Sequence, residues 1–242
     1  MSVLDRTIRD LVIANRILAH QGVLDAFGHV SVRHPEERGR YLLARSCSPG
    51  MVTPSDIVAF ALDGRPLGEE NRPLYMERFI HGAVYETMPE VNSVLHAHAE
   101  DVLPFSITKT PFRPVIQAVG DMGAHIPVWD IADKFGDRTN LLVVNMEQGR
   151  DLARCLGTNR VALMRGHGFV SVGVTLYGLV RLSVYIPRNA RVLATALGFG
   201  EVRGLSEGEV EARMALDPES PAMRRGWEYW AQEAGCGDLL GS

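Results

Sequence analysis

Leu4, Ile8, Leu11, Val12 and Leu18 recur at the spacing of one helix face, and Gly22 supplies a stop, so the chain is expected to open on an amphipathic helix. The period then shortens. Val30 and Val32 alternate with Ser31 and Arg33, and Tyr41-Leu42-Leu43-Ala44 follows across a Pro35-to-Gly39 turn, which predicts two short paired strands. A helix from about Leu74 to Met88, stopped by Pro89, should carry Glu77 in its first turn and His81 one turn later. Ser93 to His98, Leu141 to Val144 and Val161 to Met164 read as further strands, with a helix from Met146 to Leu156 between the last two. A long helix should run from near Thr175 to about Leu197, kinked at Pro187. After Gly204 the sequence is charged and helix-prone.

Chemistry enters through Val94-Leu95-His96-Ala97-His98, because a two-residue spacing on a strand puts both imidazoles on one face. A carboxylate, Glu77, lies upstream. A third imidazole, His167, lies downstream within Arg165-Gly166-His167-Gly168, where flanking glycines bare the ring and let backbone approach closely. Three imidazoles and one carboxylate suffice to hold Zn²⁺ or Mn²⁺, with Fe²⁺ and Co²⁺ also suited, while leaving room for substrate.

Composition narrows the setting. The 242 residues are enough to bury a sizeable core, and one catalytic domain spanning 1–242, with a helical C-terminal tail at 205–242, is expected. A formal net charge of −4 without a Lys/Arg-rich patch argues against a nucleic-acid partner. Cys47, Cys155 and Cys236 are few, odd in number and scattered, which reads as reduced thiols in a cytoplasmic protein. No apolar run reaches spanning length, and charged residues interrupt the N-terminus, so neither membrane anchor nor signal peptide is expected.

Gly28-His29-Val30-Ser31-Val32-Arg33, Val52-Thr53-Pro54-Ser55, Glu77 with Phe79 and His81, the pair His96 and His98, and His167-Gly168 together resemble the class II aldolase/adducin family from about Leu4 to about Leu197. The resemblance implies a three-layer α/β/α fold with a largely antiparallel central sheet, in a homo-oligomer expected to be a tetramer. It also implies that His96, His98 and His167 bind a divalent metal, and that Glu77 completes the shell or moves protons.

Departures from the sugar-phosphate aldolases of that family are informative. Their phosphate is held by a Gly-Asn pair, a Thr-Gly pair and a Ser-Ser pair, where this chain has Gly28-His29, Ser55-Asp56 and Tyr75-Met76. Asp56 adds like charge, and Tyr75-Met76 removes hydroxyls from a small-residue cradle, so a phosphorylated substrate is not expected. Ser31, Ser48 and Arg33 are candidates for a smaller anion site. Arg165 offers a planar fork for a substrate carboxylate, or else an ordinary ion pair. His29 is a candidate proton carrier or a hydrogen-bonded strand residue. Tyr185 is a candidate substrate contact or a core aromatic; His81 and His125 read as structural.

The pattern looks most like the family's decarboxylases of hydroxylated aromatic or pyridine carboxylates and dicarboxylates. Catalytic roles are then expected for Glu77 and His29, substrate contacts for Arg165, Ser48, Ser31 and Tyr185, and a small-molecule carboxylate as partner. An aldolase for a non-phosphorylated hydroxy-carbonyl compound is the alternative. An adducin-like interaction domain is more remote, because it has no physical need for four ligand-type residues.

Overall fold

Successive residues of each strand go to opposite faces of one sheet, and helices close both faces. In chain order the computed structural model, which describes residues 1–217 and 220–241, runs α1 (Val3–His20), β1 (His29–Arg33), β2 (Arg40–Ala44), β3 (Ile57–Ala61), α2 (Arg78–Thr87), β4 (Ser93–Ala97), α3 (Leu103–Ser106), β5 (Val128–Trp129), α4 (Ile131–Phe135), α5 (Met146–Leu156), β6 (Val161–Met164), β7 (Gly168–Gly173), α6 (Leu176–Leu197), α7 (Glu207–Met214) and α8 (Pro221–Glu233). The strand order is β3-β2-β1-β4-β7-β6-β5, and every pair is antiparallel except β5 with β6.

Val30, Val32, Leu42, Leu95, Ala97 and Leu163 face a layer built from α1, α6 and α8. Tyr41, Leu43, Val94, Ala162 and Val170 face α2 and α5. This is the expected three-layer arrangement around a mostly antiparallel sheet. α1 starts on a capping box between Ser2 and Asp5 and ends before Gly22, whose φ of +68° favours glycine. α5 begins on an Asn145 cap and spans the expected residues. α6 begins on Thr175 and stays helical through Pro187.

Three local expectations need correction. Leu141 to Val144 is not a strand: Leu142 N–H is taken by Asn140, Val143 N–H by Glu77 and Val144 N–H by Gln148, so side chains replace a ladder. Leu141 at φ +66° turns the chain into this conformation, a cost of about 1 kcal/mol for a non-glycine residue. α2 starts at Arg78 rather than Leu74, which puts Glu77 at the N-cap instead of in the first turn. Sequence periodicity also missed β3, β5 and β7, whose short, nearly all-apolar or Gly-bounded runs lack polar punctuation.

Within 205–242, α7 and α8 are helical, while residues 218, 219 and 242 lie outside the described residues. α8 packs Trp227, Trp230 and Ala231 into the core beside α1 and α6. No described helix is long and apolar enough to cross a membrane.

β4 and β7 approach so closely at Gly168 that a Cβ there would lie 2.1 Å from the Ala97 carbonyl oxygen. Gly168→Ala must therefore push the two strands apart. The expected outcome is a loss of about 1–3 kcal/mol in urea unfolding, the range for overpacking a tight site. Unchanged stability would show that the strands yield freely.

Candidate metal centre

The register of three neighbouring strands creates the site. His29 on β1 pairs with His96 on β4, and His96 pairs with Val170 on β7. His98 lies one residue beyond β4, on the same face as His96. The β6–β7 turn, Arg165-Gly166-His167, brings His167 back over that face; Gly166 has a φ of +63° and donates its N–H to Ser106 Oγ at 3.0 Å. Glu77 enters from the N-cap of α2.

Four donor atoms converge. His96 Nε2 is 3.0 Å from His98 Nε2 and 3.3 Å from Glu77 Oε2, and His167 Nε2 is 3.5 Å from the same oxygen. All four ligand atoms lie within 4.8 Å of one another. Donors placed tetrahedrally around a Zn²⁺-sized ion would be about 3.3 Å apart, given metal–nitrogen distances of about 2.0–2.1 Å. The donor set therefore fits a divalent metal.

The groups behind these donors fit as well. His96 Nδ1 lies 3.2 Å from the Phe169 carbonyl, and His98 Nδ1 lies 3.2 Å from both oxygens of Asp25. Such partners leave Nε2 as the lone-pair nitrogen. Asp25 is itself fixed by the N–H groups of Phe27 and Gly28 at 2.9 and 2.8 Å. His167 Nδ1 is buried and has no partner among the described residues. Glu77 Oε1 accepts the Val143 N–H at 3.0 Å, so the loop that fails to become a strand is what orients the carboxylate.

Burial works against the Glu77 carboxylate, but His96 and His167, through charge and hydrogen bonding, outweigh it and hold the group far below the usual carboxylate range. His29, His98 and His81 are pushed toward neutrality. Burial, then repulsion from His81 and His96, holds His29 well below its ordinary value. Burial and His96 lower His98 against the opposing pull of Asp25. Burial and His96 also bring His81 down to about 3.

The cluster opens into a cavity of about 470 Å³. Phe27, Leu74, Tyr75, Met76 and Leu142 supply an apolar wall, while His29, Ser46, Glu77, His98 and His167 supply polar groups. No described residue lining it is Lys or Arg. Tyr75 packs against the His29 ring at 4.5 Å between centroids and donates its hydroxyl to the Cys47 carbonyl. Asp56, expected to disrupt a phosphate cradle, accepts from Thr53 and pairs with Arg45 at 2.7 Å.

The structure brings Glu77, His29, His96, His98 and His167 together and leaves the four expected substrate contacts away from this wall. Arg165 is paired with Asp130 and partly exposed, the ordinary ion-pair alternative. Tyr185 packs near Trp230 under Arg188, in a different depression. Ser48 precedes a short 3₁₀ turn and does not line the cavity. Ser31 is fully buried and bonded to His81 and Tyr85. Arg33 cannot join an anion site, since backbone carbonyls of Arg38, Tyr85, Met88 and Val91 take its guanidinium. Sequence reasoning missed Asp25, for which Asp25-x-x-Gly28 was a turn signal, and undervalued His81.

Known proteins fit this geometry. A model of the class II aldolase and adducin N-terminal domain matches residues 9–194. The chain is 36% identical over 255 aligned positions to decarboxylase tropJ of Talaromyces stipitatus, covering 96% of this chain and 95% of that protein. It is 30% identical to a 3,4-dihydroxyphthalate decarboxylase of Arthrobacter keyseri over 66% of each. Among solved structures, an aldolase II superfamily protein from Pseudomonas syringae superposes with a TM-score of 0.79 at 20% identity, covering 99% of this chain and 96% of that one.

Two outcomes follow from the cluster. His96→Ala, His98→Ala and His167→Ala should each lose most of the bound metal in elemental analysis, whereas Glu77→Gln should keep it, an amide oxygen remaining available. Stoichiometric metal in all three histidine variants would remove the assignment.

The second concerns pH. His81 has a folded value of about 3 against an ordinary 6.5, so between those values the unfolded chain binds more protons than the folded one. Stability of the metal-free protein should rise with pH through that window and level off above it. His81→Met should flatten the slope in urea midpoints measured from pH 4 to 7, and an equal slope in both proteins would contradict the assignment.

Proposed function

This chain belongs to the class II aldolase and adducin family, and we propose that within it the protein is a divalent-metal-dependent decarboxylase of a hydroxylated aromatic carboxylate. Decarboxylase and class II aldolase relatives make it a carbon–carbon lyase. The observation that carries the finer proposal is the cavity itself: a three-histidine, one-carboxylate cluster at one end, and a wall of Phe27, Leu74, Tyr75, Met76 and Leu142 without a phosphate cradle. A flat ring with one chelating edge matches both ends.

In this proposal His96, His98, His167 and Glu77 hold the ion, which when bound supplies a Lewis acid for electron withdrawal at an adjacent substrate oxygen. The donor set suits Zn²⁺ or Mn²⁺, and also Fe²⁺ or Co²⁺. Cleavage of the ring–carboxylate bond releases CO₂ and leaves its electron pair on the ring carbon, which must then gain one proton. Glu77 is ionised in the resting site, so it can take the ring hydroxyl proton as substrate enters and return it to that carbon. The proton balance then closes within the cavity. His29, the other protonatable group on the wall, is the second candidate to face the departing carboxylate.

Arg165 no longer supports a dicarboxylate substrate, because Asp130 already neutralises it. With no cation on the wall, the preferred substrate carries one carboxylate beside its hydroxyl and an otherwise uncharged body. The expected tetramer stays part of the proposal, supported by the exposed side chains of Phe27 and Met76 at the cavity mouth.

Metal-loaded protein should release CO₂, and no aldehyde, from ortho-hydroxy aromatic monocarboxylates in preference to their dicarboxylate analogues. Glu77→Gln should lower turnover by roughly 10²-fold or more. Arg165→Ala should stay within about threefold of the parent, as for an exposed ion pair worth about 0–1 kcal/mol. Aldehyde release from a hydroxy-carbonyl compound, without CO₂ from any aromatic acid, would transfer the site to aldol cleavage.

A further inference from the structure

Four polar side chains, beginning with His29, run in single file into the core. His29 Nδ1 is 2.6 Å from His81 Nε2, His81 Nδ1 is 2.6 Å from Ser31 Oγ, and Ser31 Oγ is 2.9 Å from the Tyr85 hydroxyl. All four residues are at most 2% exposed. Burying four polar groups between apolar layers is costly unless each is satisfied, so their donors and acceptors must align.

The alignment has one consistent direction. Ser31 Oγ is the hydrogen-bond partner of the Tyr85 hydroxyl among the described residues. If Ser31 donated to it, the tyrosine proton would have no acceptor. Tyr85 O–H therefore donates to Ser31 Oγ, Ser31 O–H to His81 Nδ1, and His81 Nε2–H to His29 Nδ1. His29 is left with its proton on Nε2, the ring nitrogen remaining for the cavity that His29 lines.

We infer that His81, Ser31 and Tyr85 are positioning residues that lock His29 in the Nε2–H tautomer, so that it presents a hydrogen-bond donor to the substrate carboxylate. The inference rests on the decarboxylase reading for its ligand but not for its geometry. A wall without Lys or Arg needs such a donor, because a carboxylate turned away from the metal would otherwise meet only Ser46 and apolar side chains. A neutral donor also holds the carboxylate without the full charge that would resist loss of CO₂. His81, read from sequence as structural, thereby fixes which end of His29 carries hydrogen. Its ring is stacked near Tyr41 at 6.3 Å, which keeps its plane in line with the file.

The test uses full-length protein labelled with ¹⁵N in its imidazoles, metal-free and zinc-loaded. Long-range proton–nitrogen spectra should show His29 as the Nε2–H tautomer. In His81→Glu an acceptor faces Nδ1, and His29 should switch to the Nδ1–H form; should that variant not fold, Tyr85→Phe, which removes the terminal donor, should give a mixture of both. With an ortho-hydroxy aromatic carboxylate, His81→Met should lower kcat by about 10–100-fold with little change in KM, as when a supporting partner is lost. His81→Gln, whose amide can still donate to Nδ1, should recover most of that loss. An Nδ1–H tautomer in the parent, or equal losses in the Met and Gln variants with His29 unchanged, would overturn the inference. An inactive parent would instead remove the decarboxylase reading, and the spectra would still decide the tautomer.

Discussion

The constraint on which the rest of this molecule depends is the meeting of three Nε2 lone pairs and a carboxylate oxygen in a largely buried pocket. Lone pairs at 3.0 to 3.5 Å repel unless a proton or cation lies between them. Everything around the cluster limits the alternatives. The Phe169 carbonyl and Asp25 sit on the far nitrogens of His96 and His98, and Val143 occupies the second oxygen of Glu77. With those atoms spoken for, the rings and carboxylate have little freedom to rotate away from one another.

That constraint explains the architecture at the centre of the sheet. β4 must lie between β1 and β7, since only this order puts His96 beside both the strand that carries His29 and the strand that follows His167. Gly168 is required because β7 passes within van der Waals contact of the Ala97 carbonyl just where β4 ends. The loop at Leu141 to Val144 gives up sheet hydrogen bonds so that its backbone can hold Glu77. Local structure is thus bent to the site at its edges, while α1, α5 and α6 obey their own caps and periodicity.

The same contrast explains what was legible in the sequence. Long amphipathic helices and the His-x-His strand announce themselves through spacing, so α1, α5, α6 and the His96–His98 pair could be read directly. The four apolar residues Leu141 to Val144 misled because periodicity reports burial rather than the partner that takes each N–H. Arg165 misled in another way: adjacency to His167 in sequence says nothing of Asp130, which lies 35 residues earlier and reaches it across the parallel β5–β6 edge. Asp25 and His81 were undervalued because what they do rests on hydrogen bonds to residues distant in sequence, Asp25 to His98 and His81 to His29 and Ser31, and no local pattern encodes such partners.

The chemistry follows from what the cavity lacks as much as from what it holds. A sugar phosphate needs free N–H groups, hydroxyls or cations, and here Asp56 is engaged by Thr53 and Arg45 while Tyr75 and Met76 occupy the place of small hydroxyl residues. The wall instead offers rings and aliphatic chains beside a single polar end. In such surroundings a charge on the substrate is stabilised next to the cluster and at the His29 donor, so electron density created by the proposed bond cleavage would be drawn toward the cluster. Carbon dioxide, neutral and weakly hydrated, is a leaving group that an apolar wall accepts without cost. An aldehyde from aldol cleavage would present a polar carbonyl to the same surface with only Ser46 and His29 to receive it. The asymmetry between a polar ligand end and an apolar far wall therefore supports the proposed loss of CO₂ over the alternative release of a carbonyl compound, and in that proposal electron flow would be set by the position of the four ligand-type side chains.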